Sequence, residues 1–148
     1  MIRVEILEAP FDLAREVGAI ALAGVGAVAS FSGYVRGDGG IIAIELEHYP
    51  AMTARVLTTL AEQASNRWSL SACTILHRIG RLVVGEPIVL VAVASPHRAE
   101  ALEACSFLID RLKTDAPFWK KEIGSDGRSD WVAAKLSDLD RSANWDEM

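Results

Sequence analysis

Segments with helical spacing of apolar residues in this chain are separated by two or three strand-like segments, never by one, and that order restricts the folds open to it. IRVEIL (2–7) alternates as a strand, and Pro10 opens a short helical piece through residue 16. The small residues that follow would tolerate a helix, but 25–36 reads as a strand entering a glycine turn, GDGG (37–40), and IIAIELEHY (41–49) alternates again. A hairpin around GDGG is the expectation. Over 51–68 the period lengthens, with Met52, Val56, Leu60, Ala64 and Trp68 near every fourth position, so an amphipathic helix follows Pro50. Residues 73–79, 81–84 and 87–95 read as short antiparallel strands cut by Gly80 and Gly85-Glu86-Pro87. Ser95-Pro96 then caps a helix through Lys113, with Ala101, Cys105, Leu108, Ile109 and Leu112 on one face. FWKKEI and DWVAAK read as two last strands about a GSDGRS turn. The order βαββαβββαββ argues for an α+β layer fold over a doubly wound one, in a single domain over 1–148, with 136–148 expected as a loose polar tail.

At 148 residues such a chain buries roughly 70% of the surface that its unfolded form exposes, and needs no staple. Its formal net charge of -5 disfavours nucleic acid and anionic lipid, so a bound anion must meet a local basic cluster. Cys73 and Cys105 show no C-x-x-C and no ligand spacing, which suggests neither a disulfide framework nor a zinc site and fits a reducing cytoplasm. The start lacks an export signal, and no segment reaches the length of a membrane span.

Most candidate chemistry has an ordinary explanation. His48 and His77 sit on strands without a ligand trio, so no metal is expected. Cys73 and Cys105 look like small core residues, and GVG and GDGG match no phosphate loop. What remains is cationic: Arg36 at a strand end, His97-Arg98 in a first helical turn, and Lys113, Lys120 and Lys121 around a Pro-Phe-Trp core. A helix start offers free N–H groups and partial positive charge, so a basic pair there is disfavoured unless an anion or acidic neighbour compensates. Lys120 and Lys121 point to opposite faces of a strand. A lysine beside aromatic surface is partly desolvated, which favours the neutral amine and suits proton transfer or attack on a carbonyl carbon.

FSGYVR (31–36), LEHYPAMT (46–53), NRW (66–68), HRIG (77–80), SPHRAEALEA (95–104) and LKTDAPFWKKE (112–122), in this order, closely resemble the large subunit of molybdopterin synthase. The resemblance spans about residues 25 to 135. It implies an α/β hammerhead fold with additional antiparallel β-sheet and a homodimer, with a small ubiquitin-like sulfur-carrier subunit docked at each end to make a heterotetramer. It further implies a sulfurtransferase of molybdenum cofactor biosynthesis. The carrier's C-terminal glycine thiocarboxylate enters a pocket and two sulfurs pass in turn to cyclic pyranopterin monophosphate, opening its cyclic phosphate and yielding the dithiolene of molybdopterin. No resident cofactor is implied. Lys113 and Lys120 are then the catalytic lysines, and Arg36, His97 and Arg98 contact anion and pterin. Tyr34, Val35, Lys121 and Glu122 line the site. Lys135 stands where arginine is expected, replacing a bidentate contact from the neighbouring protomer by a point charge. The segment from Pro117 to Trp119 and the strand through Trp131 are the expected entrance for the carrier's tail. Two other readings share these residues: a non-catalytic binding module for the carrier, and a same-fold enzyme acting on another phosphorylated heterocycle.

Overall fold

A computed structural model, describing residues 1–132 and 136–147, keeps the order read from the sequence and adds a helix at its end. The elements are β1 (Ile2–Leu7), α1 (Leu13–Ala19), β2 (Ala27–Tyr34), β3 (Ile41–His48), α2 (Pro50–Trp68), β4 (Ala72–Arg78), β5 (Gly80–Val83), β6 (Pro87–Ser95), α3 (Arg98–Asp115), β7 (Phe118–Gly124), β8 (Ser129–Val132) and α4 (Leu136–Asn144). The first helix starts later than Pro10 suggested, because the Asp12 side chain accepts from the Arg15 N–H and caps it.

Among the described residues the strands form two four-stranded sheets, β1-β4-β6-β2 and β5-β3-β7-β8. β1 runs parallel to β4, and the other pairs are antiparallel. The expected hairpin around GDGG does not form. Strand β2 takes β6 as its partner, with Phe31 opposite Val91, whereas β3 pairs with β5 and β7 in the other sheet. The glycine turn is therefore a crossover between sheets, with Gly39 and Gly40 at φ of 66° and 79°, where a side chain would be strained. Nor are β4, β5 and β6 three neighbours: β5 leaves for the second sheet, and β4 pairs directly with β6. Turn chemistry shows where a chain bends but not which edge it then joins.

Burial explains why β4 and β6 lie at the centre of the first sheet. One face, with Cys73, Ile75, Val89, Val91 and Val93, packs under Leu57, Leu60, Ala61 and Ala64 of α2 and Ala104 and Leu108 of α3. The opposite face, with Leu76, Leu90, Ala92 and Ala94, is covered by Ile20 and the α1 side chains Leu13 and Val17. A strand covered on both faces must be apolar throughout, as PIVLVAVA is. Full burial of each large aliphatic side chain contributes about 1.5–3 kcal/mol. The stripe of α2 is rotated from the expected one: Thr53, Leu57 and Ala61 join Leu60, Ala64 and Trp68, while Met52 is 56% exposed.

The expected polar tail is helical. Asp110, 7% exposed on α3, accepts from Arg141 Nε at 3.0 Å and from Trp145 Nε1 at 2.7 Å. Ser142 and Thr114 share a hydrogen bond at 2.9 Å, Arg111 pairs with Asp146, and the Trp145 ring stands edge-on to Trp68 and Phe107. The polarity that suggested solvent instead satisfies the polar face of α3. Among the described residues no helix is long and apolar enough to cross a membrane.

Candidate functional site

The FSGYVR motif ends at the crossover. Tyr34 is half exposed at the end of β2, opposite Pro87. Val35 is only 3% exposed, packed with Ile44, Leu46 and Leu82, and its N–H donates to the Glu86 carbonyl at 3.0 Å while its own carbonyl accepts from Gly85 at 2.9 Å. Expected as a lining residue, Val35 instead anchors Arg36, whose guanidinium projects into solvent with Asp38 at 3.5 Å. The arginine of HRIG supports this loop from beneath. Arg78 Nη1 donates to Glu86 at 3.1 Å and Nη2 to the Glu8 carbonyl at 2.9 Å, while Glu86 also accepts from the Val83 N–H.

Lys113 lies in the last turn of α3, where the helix dipole favours a cation. It lines a cavity of about 640 Å³ together with Phe31 of β2, Cys105 and Ile109 of α3, and Asp138 and Arg141 of α4. The sequence pattern missed this wall, because the segment that forms α4 was read as tail and Asp110, which holds it, was not singled out. Cys105 touches the cavity, but burial pushes its thiol up to about 11 and that of Cys73 to about 12. Both stay protonated at neutral pH, as the reading of two core cysteines requires.

Lys120 and Lys121 do face opposite ways on β7. Register places Lys120 between Leu46 of β3 and Val132 of β8, on the same face as Phe118 and Glu122. Lys121 falls in line with Glu45 and Trp131, and its Nζ sits 4.8 Å from the Trp131 ring centre, a cation–π contact. Beside it, Trp119 donates to Glu47 at 3.2 Å and meets Tyr49 edge-on. Trp131 is 52% exposed, whereas Phe118 turns inward and stacks on His77 with ring centres 3.8 Å apart. Lys135 lies outside the described residues.

The second basic pair lies elsewhere. His97 caps α3 and Arg98 begins it, so Ser95 is not the cap; its hydroxyl accepts from the His97 N–H and donates to Glu100 at 2.9 Å. Glu100, in the first turn, is the acid that compensates the cations. Gly26 lets the turn pack closely, since a Cβ there would stand 2.2 Å from the Pro96 carbonyl oxygen. Helix α3 runs back over β6, with Cys105 above Val91 at mid-strand, so Lys113 lies toward the end where β2 finishes and β6 begins. Fifteen residues of helix separate Arg98 from Lys113, about 22 Å. Seven residues of β2 separate the strand ends that carry the two basic groups, about 23 Å. Arg36 and Lys113 thus belong to one end of the sheet and His97 with Arg98 to the other, and a single chain does not unite them.

Two sheets, a cavity between a helix and an edge strand in which Lys113 and Arg141 meet Asp110 and Asp138, and two cysteines held protonated define an α+β protein whose cysteines are not set up for thiolate chemistry. The family described as MoaE protein matches residues 6–115, and the chain belongs to it. It is 47% identical to a molybdopterin synthase catalytic subunit of Cereibacter sphaeroides, covering 97% of this chain and 99% of that one. It is 46% identical to the subunit of the same name from Pseudomonas aeruginosa, with the same coverage. Among solved structures, the molybdopterin biosynthesis MoaE protein of Burkholderia ambifaria superposes with a TM-score of 0.84 at 42% identity over 99% of both chains. Molybdopterin synthase of Staphylococcus aureus gives 0.80 at 35%, covering 87% of this chain and 96% of that one.

Proposed function

We propose that this chain is the catalytic subunit of a molybdopterin synthase, a sulfurtransferase that uses Lys113 and Lys120 to pass two sulfurs from a carrier's C-terminal thiocarboxylate to cyclic pyranopterin monophosphate. The observation that carries the reading is near-full-length identity of 46–47% with proteins named as that subunit. The chemistry of the site agrees with it. Both cysteines are buried and protonated, so sulfur has to arrive on another molecule, and a thiocarboxylate and a phosphate are both anions for a basic site. The word subunit in the relatives' names requires a partner, and a small carrier ending in Gly-Gly meets the need for a narrow tail. In this reading the chain holds no cofactor of its own, works in the cytoplasm, and forms a homodimer within a heterotetramer.

Division of the cations between the two ends of α3 gives the homodimer a purpose: a second copy brings its His97 and Arg98 to the Lys113 end of the first. Tyr34, Arg36 and Glu122 then surround the phosphate, with Lys113 and Lys120 neutralising charge and transferring protons, while Lys121 serves the tail from the other face of β7, beside Trp131. The test is turnover of thiocarboxylated carrier and cyclic pyranopterin monophosphate to the dithiolene product. Lys113→Ala and Lys120→Ala should each lose about 100-fold or more in rate while remaining folded. Wild-type turnover in both variants would remove the assignment.

A further inference from the structure

His77 was set aside as an ordinary strand histidine, yet it sits where the two sheets meet, against the first residue of the strand that carries Lys120. It lies on β4 of the first sheet, 5% exposed, with its ring 3.8 Å from that of Phe118 and inclined by 12°. Phe118 is the first residue of β7 in the second sheet, and its other neighbour, His48 of β3, has its ring centre at 5.9 Å. One phenylalanine thus touches a histidine from each sheet. Both histidines are tethered in plane. His77 Nδ1 lies 2.7 Å from the Arg78 carbonyl oxygen, which can only accept, so Nδ1 carries the hydrogen and Nε2 the lone pair. Thr53 donates its hydroxyl hydrogen to the Tyr49 carbonyl, so His48 Nδ1 donates to Thr53 Oγ1 at 3.1 Å.

Phe118 follows Lys113 by five residues and precedes Lys120 by two, on the face of β7 that Lys120 shares. It is the aromatic anchor of the stretch joining the two lysines. We infer that His77 is a positioning residue for sulfur transfer: by clamping the Phe118 ring it sets the distance and direction of Lys120 relative to Lys113. The inference rests on the function proposed above. A neutral clamp is needed, because a charge beside Lys113 would repel it. Burial holds the His77 imidazole well below its usual pKa, at about 4, against the hydrogen bond to Arg78, with the charges of His48 and Lys113 adding to the depression. A merely space-filling histidine would be replaceable by phenylalanine without cost to the chemistry. A clamp would not, since phenylalanine keeps the volume and the stacking surface but lacks the N–H that holds the ring plane.

The synthase assay is run on the complete enzyme with His77→Phe, Phe118→Leu, the double variant and Lys113→Ala, with thermal unfolding as a fold control. Misplacing a catalytic group by a fraction of a side chain lowers kcat, not substrate binding, so each single variant should lose about tenfold or more in kcat with KM little changed. The double variant should be no worse than the poorer single one, because the two rings act as a unit. Should His77→Phe fail to fold, Phe118→Leu, at a half-buried position, carries the kcat measurement alone. Folded variants with wild-type kcat, a change confined to KM, or fully additive losses overturn the inference while an inactive Lys113→Ala leaves the function standing. A fully active Lys113→Ala overturns both.

Discussion

His77 also gives the chain a pH signature that can be read without substrate. Its folded pKa of about 4 lies below the 6.5 of an exposed imidazole, so on acidification the unfolded chain takes up the proton first. The associated stability is complete above about pH 6.5 and is lost as pH falls toward 4. From pH 7.5 to pH 5 this one residue should remove about 2 kcal/mol. Urea unfolding of wild type and His77→Phe at both pH values tests this, with the variant expected to lose less by that amount. Equal losses would place the acid sensitivity on other groups. The sequence showed that a histidine stood on a strand but not that it was buried, because burial came from β7 folding back across 40 residues of chain.

At the scale of elements, α4 is the part whose existence the residue pattern concealed. Its hydrogen bonds run to Asp110 and Thr114 of α3, so the segment resembles solvated tail until α3 is beside it. Asp110→Ala leaves the Trp145 N–H and the Arg141 guanidinium without their acceptor, at a cost of about 1–3 kcal/mol. Amide hydrogen exchange should then speed up in α4 while the amides of β4 and β6 stay protected. Equal acceleration everywhere would mean that α4 is integral to the core and does not open as a local unit. Because α4 supplies one wall of the cavity at Lys113, the proposed function requires the same variant to weaken retention of the carrier's tail.

At the scale of the whole molecule, the placement of Arg98 and Lys113 some 22 Å apart on α3 makes an experimental demand on assembly. If each site takes Lys113 from one chain and Arg98 from its partner, mixing inactive Lys113→Ala and Arg98→Ala chains should restore activity. Random reassortment makes half of the dimers mixed, each with one intact site, so about a quarter of wild-type activity should return. No recovery after verified subunit exchange would mean that each chain builds its site alone.

Local chemistry alone determined much of this protein. The order of its first eleven elements, the β7–β8 hairpin, the opposite facing of Lys120 and Lys121, the inert cysteines and the motifs of its family all rest on period, turn residues and short-range spacing. Such information is local by nature. Tertiary structure decided what depends on partners distant in the chain: that β2 and β3 part at GDGG to join different sheets, that Val35 is core, that α4 docks on Asp110, and that Arg36 and Lys113 stand at one end of the first sheet with His97 and Arg98 at the other. A strand's edge accepts any partner with free backbone groups, and a helix carries its residues apart at 1.5 Å each wherever it lies. Only the packing of α3 along β6, with the apolar area that buries, fixed which of those residues would meet.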